Sequence, residues 1–568
     1  MNSPAESAAL VFAPEGTLIP HFSMAMYAGW VLRQSGRRVY AASCFGGMPR
    51  CLVKDSIAHP NQPIPLDKCV ACVQGHSTGV LLYGLESLDI RSYVSAAVRQ
   101  AVDEFVSTAD LDNQELRYDG ILVGNYARAA LFLNFKKTLH DPLDAFSRAY
   151  LQETVENFLL TYHAVGALIA DRGIGTLIVF GQYVQNWAAI EAAKSAGIGW
   201  RILDQMRHLN INRQRLSIRS ATNAVFHQAL YRSWLENKDR PLAAPAIAEV
   251  LRDVLFSIGN SGSHIYSKNR TQEGSALRRL GLSTEKPCIG IFTSSLDEFD
   301  SARLLDQASG VNALGLEGGL FPSQIVMLEE MLDWARSNAD INLVIRIHPR
   351  EDANHREQIT STHLGLLRKR LINLPPNARI IWPRDDVSSY DLVDDLDLVI
   401  VGWSTFGLEC ARLGIPVLTP WRLNPTYPVG QFIMTAATRQ AFFDRVREIL
   451  GTDEEPPAIF ARIAWALRFY AFLRFTSTLN LADVVPDETF DGIVPPRMPA
   501  HAALLQRALL ADGDVVVHNL RDAALYCADG EAEVLNIVDY CKEVLERFSV
   551  PAQQIMTKLA RRLLKIRL

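Results

Sequence analysis

Asn342-Leu-Val-Ile-Arg-Ile-His-Pro-Arg-Glu351 and, about fifty residues later, Asp397-Leu-Val-Ile-Val-Gly-Trp-Ser-Thr-Phe-Gly-Leu-Glu-Cys-Ala-Arg-Leu-Gly-Ile-Pro-Val417 decide the fold. Each opens on a run rich in Leu, Ile and Val that stops abruptly at polar residues. One run ends in His348-Pro349-Arg350-Glu351, the other in Gly402-Trp403-Ser404-Thr405. A short continuous apolar run reads as a strand buried on both faces, and such strands belong to parallel sheets covered by helices. Ligands of open sheets of this kind bind at the carboxyl ends of the strands, where both polar tails lie.

The same pattern extends outward. Cys288-Ile-Gly-Ile-Phe292 is an expected strand that runs into Thr293-Ser-Ser-Leu-Asp-Glu298. Helices are expected over 324–337 and 404–413, and further strands over 379–382 and 416–419. In the first half, Ala9-Leu-Val-Phe-Ala13, Arg38-Val-Tyr-Ala-Ala-Ser43, Ile121-Leu-Val123, Thr176-Leu-Ile-Val-Phe180 and Trp200-Arg-Ile-Leu203 read as strands. They alternate with helices such as 22–34 and 184–195, each followed by a glycine, Gly36 and Gly197. The polar, glycine-bearing stretch near 256–275 reads as a linker. The expected fold class is therefore α/β: a Rossmann-like domain over 1–255, a linker over 256–282, a second Rossmann-like domain over 283–435 and a helical extension over 436–568.

Of the 568 residues, 48% are hydrophobic and 21% charged, which is ordinary for a globular protein and argues against wholesale disorder. Lys and Arg number 57 against 62 Asp and Glu, a net charge of −5, so nucleic acid is not the expected partner. No run of eighteen apolar residues is present, which argues against a membrane-spanning helix. The first residues lack a basic segment followed by an apolar core, so no export signal and a cytoplasmic location are expected. The eight cysteines are then thiols or metal ligands before they are disulfides.

Arg346 and His348 are two apart on a strand and point to one side, and Pro349 sets the chain direction after them. A guanidinium and a protonatable ring there suit a phosphate oxygen. Ser404 and Thr405 open a helix, where unpaired amides and hydroxyls also suit a phosphate, although plain capping is the commoner use. Glu409, further along that helix, could accept from sugar hydroxyls. Ser294 and Ser295 stand at the neighbouring strand end.

Together these segments resemble the bacterial capsular polysaccharide biosynthesis family of GT-B glycosyltransferases. The resemblance spans roughly residues 5–435 and is strongest over 288–420; its order and spacing of His-Pro and Ser-Thr motifs are more specific than either motif alone. Where the family usually reads Asn-Gly-Arg, this chain has Phe180-Gly181-Gln182. The resemblance implies two domains facing across a cleft and a nucleotide-sugar donor in the second, with His348, Ser404 and Thr405 on its phosphate; Arg346, Pro349, Ser294, Ser295 and Glu409, read from the strand ends and the helix, complete the expected donor site. It also implies a saccharide or lipid-linked acceptor against the first domain. Transfer of a phosphopolyol from a CDP-activated donor and a non-catalytic scaffold are the alternative readings.

No cofactor is expected for catalysis. Transfer needs a base for the acceptor hydroxyl. Glu15 and His21 follow the first strand, Asp204 and His208 a later one, and Glu15 is the first choice, with His348 the catalytic group on the donor side. Cys44, Cys51, Cys69 and Cys72 form an early quartet in which Cys69 and Cys72 have metal-ligand spacing, so structural zinc and buried free thiols are both open. Cys288, Cys410, Cys527 and Cys541 sit in apolar stretches and belong to the core. The tail Lys558-Leu-Ala-Arg-Arg-Leu-Leu-Lys-Ile-Arg-Leu568 carries five positive charges and five Leu or Ile residues. It suits either a membrane surface or packing of its leucines on the body.

Overall fold

A computed structural model describes residues 7–55, 66–205, 212–258, 270, 275–310, 319–354, 358–421, 427–510, 526, 530–548 and 558–567. Cys527, His208 and most of the glycine-bearing stretch at 259–274 lie outside these residues.

The strands are β1 Ala8–Phe12, β2 Val39–Ser43, β3 Glu86–Asp89, β4 Ile174–Phe180, β5 Gly199–Gln205, β6 Arg215–Arg219, β7 Cys288–Phe292, β8 Asn342–Arg346, β9 Ala378–Ile381, β10 Leu398–Val401, β11 Val417–Leu418, β12 Ile433–Met434 and β13 Leu479–Asn480. They form two sheets, ordered β3-β2-β1-β4-β5-β6-β13 and β9-β8-β7-β10-β11-β12. Each begins with the 3-2-1-4-5-6 order of a doubly wound fold. The second sheet is parallel throughout; the first turns antiparallel at β6 and β13. The two Rossmann-like domains expected of a GT-B architecture are thus present.

Strand alternation divides each sheet's apolar residues between two cores. Leu10 and Phe12 pack on one face of the first sheet, Ala9 and Val11 on the other. In the second sheet Ile289 and Ile291 face one way, Cys288 and Phe292 the other. Local punctuation holds the helices. The 28-residue helix Ala145–Arg172 starts where Asp144 accepts from the Ser147 amide and ends at Gly173, whose φ of 61° only glycine adopts without strain.

The expected strand at 121–123 is absent. Ile121 makes one isolated bridge to Tyr118, and Val123 opens the helix Val123–Phe135, whose apolar residues face the first core. The chain leaves the first sheet earlier than the expected linker. After β6, Leu230 and Trp234 of the helix Asn223–Asn237 and Val250 and Val254 of the helix Ala244–Ile258 already pack in a core of the second domain. Beyond 435, the helix Arg439–Gly451 buries Phe442 and Val446 against the second sheet, and the helix Pro456–Ala471 and a π-turn at Phe472–Thr476 lead back to β13 on the first. The tail packs inward: Leu559 and Leu563 are fully buried, Lys558 pairs with Asp397 at 2.5 Å and Arg562 donates to the Leu396 carbonyl at 3.2 Å. Its apolar face is therefore spent on the second domain rather than offered to a membrane surface. Among the described residues no helix is long and apolar enough to cross a membrane.

Candidate functional site

In a 3-2-1-4-5-6 sheet the strand order reverses between the first and fourth strands, and the crevice opens there. In the second domain this is the gap between β7 and β10. A small, open depression lies at this point, lined by Ser294, Ser295 and Glu298 after β7, His348 after β8, and Trp403 and Ser404 after β10.

The three loops are tied together. The Trp403 amide donates to Ser294 Oγ at 2.8 Å, and the Gln324 side chain grips the Ser294 backbone on both sides, at 2.8 and 3.1 Å. The His348 amide donates to Thr293 Oγ1 at 2.8 Å. Ser404 Oγ accepts from the Phe406 amide at 3.3 Å, and Phe299 packs edge-on against the Trp403 ring.

His348 differs from the sequence expectation in charge. Its Nδ1 accepts from the Arg350 amide at 3.2 Å, which leaves the proton on Nε2. Burial pushes its pKa down to about 4, so at neutral pH it is a neutral donor and not a cation. Pro349 contributes by opening the tight turn Pro349–Glu351 that aims this amide at the ring.

No protein-family model and no curated protein matches this chain. Among solved structures it is similar to the beta Kdo 2,4 transferase KpsC of Thermosulfurimonas dismutans, at 12% identity over 59% of this chain and 88% of that one, with a TM-score of 0.33. It is also similar to UDP-GlcNAc 2-epimerase of Neisseria meningitidis, at 11% identity over 80% and 94% with a TM-score of 0.29. A third is the spinosyn rhamnosyltransferase SpnG, at 14% identity over 82% and 96% with a TM-score of 0.24. At such identities and scores neither ligand nor reaction transfers to this chain.

Besides Pro349, which acts through its turn, three expected donor residues lie away from the depression. Arg346 is still inside the sheet layer; it is 2% exposed and its Nη1 donates to the Trp382 carbonyl at 2.6 Å. Burial lowers its pKa to about 10, so it remains charged, but it lies among the strand ends rather than on the depression wall. Thr405 precedes the helix Phe406–Arg412 and uses its carbonyl to accept from the Leu408 amide. Glu409, five residues beyond Ser404, is turned to another side of that helix. It lines a separate narrow gap in the interior with Arg412 and Tyr390, whose hydroxyl donates to it at 2.6 Å, and burial raises its pKa. Conversely Trp403 and Glu298 line the depression without having been singled out. A tryptophan directly after a strand end was the readable signal for the first; Glu298 looked like any solvated helix-start carboxylate.

The matching switch point of the first sheet lies after β1 and β4. Glu15 follows β1, is 7% exposed, and its Oε1 has no hydrogen-bond partner. Desolvation lifts its pKa from 4.5 to about 7. Its loop is pressed against the helix Leu66–Tyr83: a Cβ on Gly16 would lie 2.3 Å from the Cys72 carbonyl oxygen, so only glycine fits. His21 stacks on Phe180, the last residue of β4, and shares a 2.8 Å hydrogen bond with the Tyr183 hydroxyl. Asp204 is engaged by Arg219 at 2.9 Å.

The cysteine quartet surrounds this edge without assembling into a ligand set. Cys72 Sγ accepts from the Gly16 amide at 3.1 Å and donates to the Pro14 carbonyl at 3.2 Å. Burial raises the pKa of Cys44, Cys51 and Cys72, with Cys72 at about 11. All four are free, and among the described residues no group of three or more His, Cys, Asp or Glu is placed to hold a metal. Cys288, Cys410 and Cys541 are buried in the core.

Proposed function

We propose that this chain is a glycosyltransferase that moves a sugar from a CMP- or UDP-activated donor to a growing surface polysaccharide or its lipid-linked acceptor. One observation carries the reading: three loops converge at the switch point of the second sheet into a depression walled by hydroxyls, an imidazole N–H and an indole. Phosphate oxygens accept from the Ser294 and Ser404 hydroxyls and His348 Nε2, while Ser295, whose hydroxyl is given to Asp297, shapes the wall, and the Trp403 ring offers a flat apolar surface to the nucleoside or sugar. Negative charge grows on the leaving phosphate as the glycosidic bond breaks, so these donors act most strongly in the transition state. The acceptor hydroxyl loses its proton to Glu15, whose value near 7 suits a base at neutral pH. The chain's own donors meet the leaving group, and no divalent cation takes part.

The test is incubation of the protein with CMP- and UDP-sugars, after a thermal-shift panel of CMP, CDP, UDP and GDP that finds the nucleotide it binds. Release of nucleotide with the sugar on an acceptor supports the proposal. Transfer of a phosphopolyol from a CDP donor would replace it with the phosphotransferase reading. Binding without turnover of any donor would leave a scaffold.

A further inference from the structure

We propose that Arg350, the residue after His348-Pro349, is a positioning residue: it ties the donor-side loop of the second domain to the end of a helix in the first, so the donor depression takes its working shape from the domain contact. The inference deepens the glycosyltransferase reading and rests on it for the catalytic part alone.

Arg350 is 2% exposed and does not line the depression. It nonetheless reaches three residues that do. Its backbone amide holds His348 Nδ1 at 3.2 Å. Its Nη1 pairs with buried Asp297 and approaches Ser295 Oγ at 3.5 Å, while its Nε lies 3.7 Å from Glu298. Asp297 in turn accepts from the Ser295 hydroxyl. The remaining arm crosses between the domains: Nη2 donates to the Leu133 carbonyl at 2.6 Å.

The far end of that bond explains why a guanidinium is needed. The helix Val123–Phe135 ends at Lys136 in a left-handed conformation, with φ 51°. The last carbonyls of a helix lack intrahelical partners and carry the negative end of its dipole. Arg350 supplies a cationic donor to one of them. The contact is continued nearby, where Ser301 Oγ donates to the Ala129 carbonyl at 2.9 Å, the Leu139 amide donates to Asp300 at 2.9 Å, and buried Lys136 Nζ donates to the Asp352 and Ile359 carbonyls at 3.0 and 2.7 Å. Only a planar fork serves a carboxylate with one edge and a carbonyl in another domain with the other.

The experiment compares the full-length parent with Arg350→Met, Arg350→Lys and the double variant Arg350→Met/Asp297→Asn. The last removes the carboxylate that Arg350→Met alone would leave buried and uncompensated, so a folded protein is in hand even if the single variant unfolds. Hydrogen exchange reads the loop without any chemistry: amides of 294–299 should exchange about tenfold or more faster in the double variant, while β1 and β4 keep the parental rates. In turnover, kcat should fall about a hundredfold with donor KM changed far less, because a loop misplaced by about an ångström loses alignment before it loses binding. Arg350→Lys should lie between, keeping the charge and losing the fork. Parental exchange at 294–299 in the folded double variant, or parental kcat, overturns the proposal. Absence of turnover in the parent sinks the glycosyltransferase reading instead, and the exchange result still decides the role of Arg350.

Discussion

At the switch point of the second sheet every loop is tied to its neighbour: Trp403 to Ser294, His348 to Thr293, Ser294 to Gln324. At the equivalent point of the first sheet Glu15 keeps an unpartnered buried oxygen, beside thiols that burial holds protonated. The two edges share a strand order and differ in how their polar atoms are treated. A satisfied network holds its geometry and suits the binding of a fixed group such as a phosphate. A lone desolvated carboxyl sits near its titration point and suits proton transfer.

Replacing Glu15 tests this contrast most severely. Glu15→Gln should lower turnover by about 10²- to 10⁴-fold, the range of a lost general base, while the nucleotide still stabilises the protein. Its stability should move the other way. The folded value of about 7 lies above the ordinary 4.5, so the stability contributed by the protonated carboxyl is full below about 4.5 and is lost as pH rises through 7. At pH 8 the parent therefore carries a penalty of about 3 kcal/mol that glutamine lacks, and Glu15→Gln should unfold at a higher midpoint there and at the parental midpoint at pH 4. Parental turnover in this variant would remove Glu15 from the chemistry.

His348→Ala should lower kcat by about 10²- to 10³-fold through loss of one preorganised donor. Because His348 stays neutral down to about pH 4, the acidic limb of kcat/KM should follow Glu15 near 7 alone. A further limb near pH 6 that disappears in His348→Gln would show that the ring works as a cation.

Arg346→Met separates holding the fold from holding the donor. It leaves the Trp382 carbonyl without its partner, which should lower stability by about 1–3 kcal/mol in denaturant titrations. Donor KM should stay at the parental value; a large rise would move Arg346 into the binding wall. The smallest effect is expected from a chelator. Dialysis against EDTA should leave the unfolding midpoint and turnover unchanged, whereas release of about one zinc with a fall in the midpoint would restore the cysteine quartet as a ligand set.

Several features were readable from local sequence because their causes are local. The runs at 288–292, 342–347 and 396–401 are continuous and apolar, so they are buried on both faces and must end at a ligand edge. The helix at 184–195 is bounded as its glycine signal predicts. The stretch 121–123 misled because a three-residue apolar run serves a strand or a helix start equally well, and only packing on the first core selects the helix. β3, Glu-Ser-Leu-Asp, was missed because its edge position leaves it polar. At the site, strand spacing placed Arg346 beside His348, but the sheet ends between them, so one side chain lies within the layer and the other reaches the depression.

The sequence by itself determined the two parallel-sheet domains and the three loops that end on the second sheet's ligand edge, because burial on both faces demands unbroken apolar runs and polarity returns where the strand stops. The tertiary structure alone decided which polar residues share a surface, and in what charge state. Desolvation depends on the elements that happen to cover a group. It makes His348 neutral and leaves Glu15 half-titrated near pH 7, it turns Glu409 into the core, and it lets Arg350 act from behind the depression on a carbonyl more than two hundred residues away in the chain.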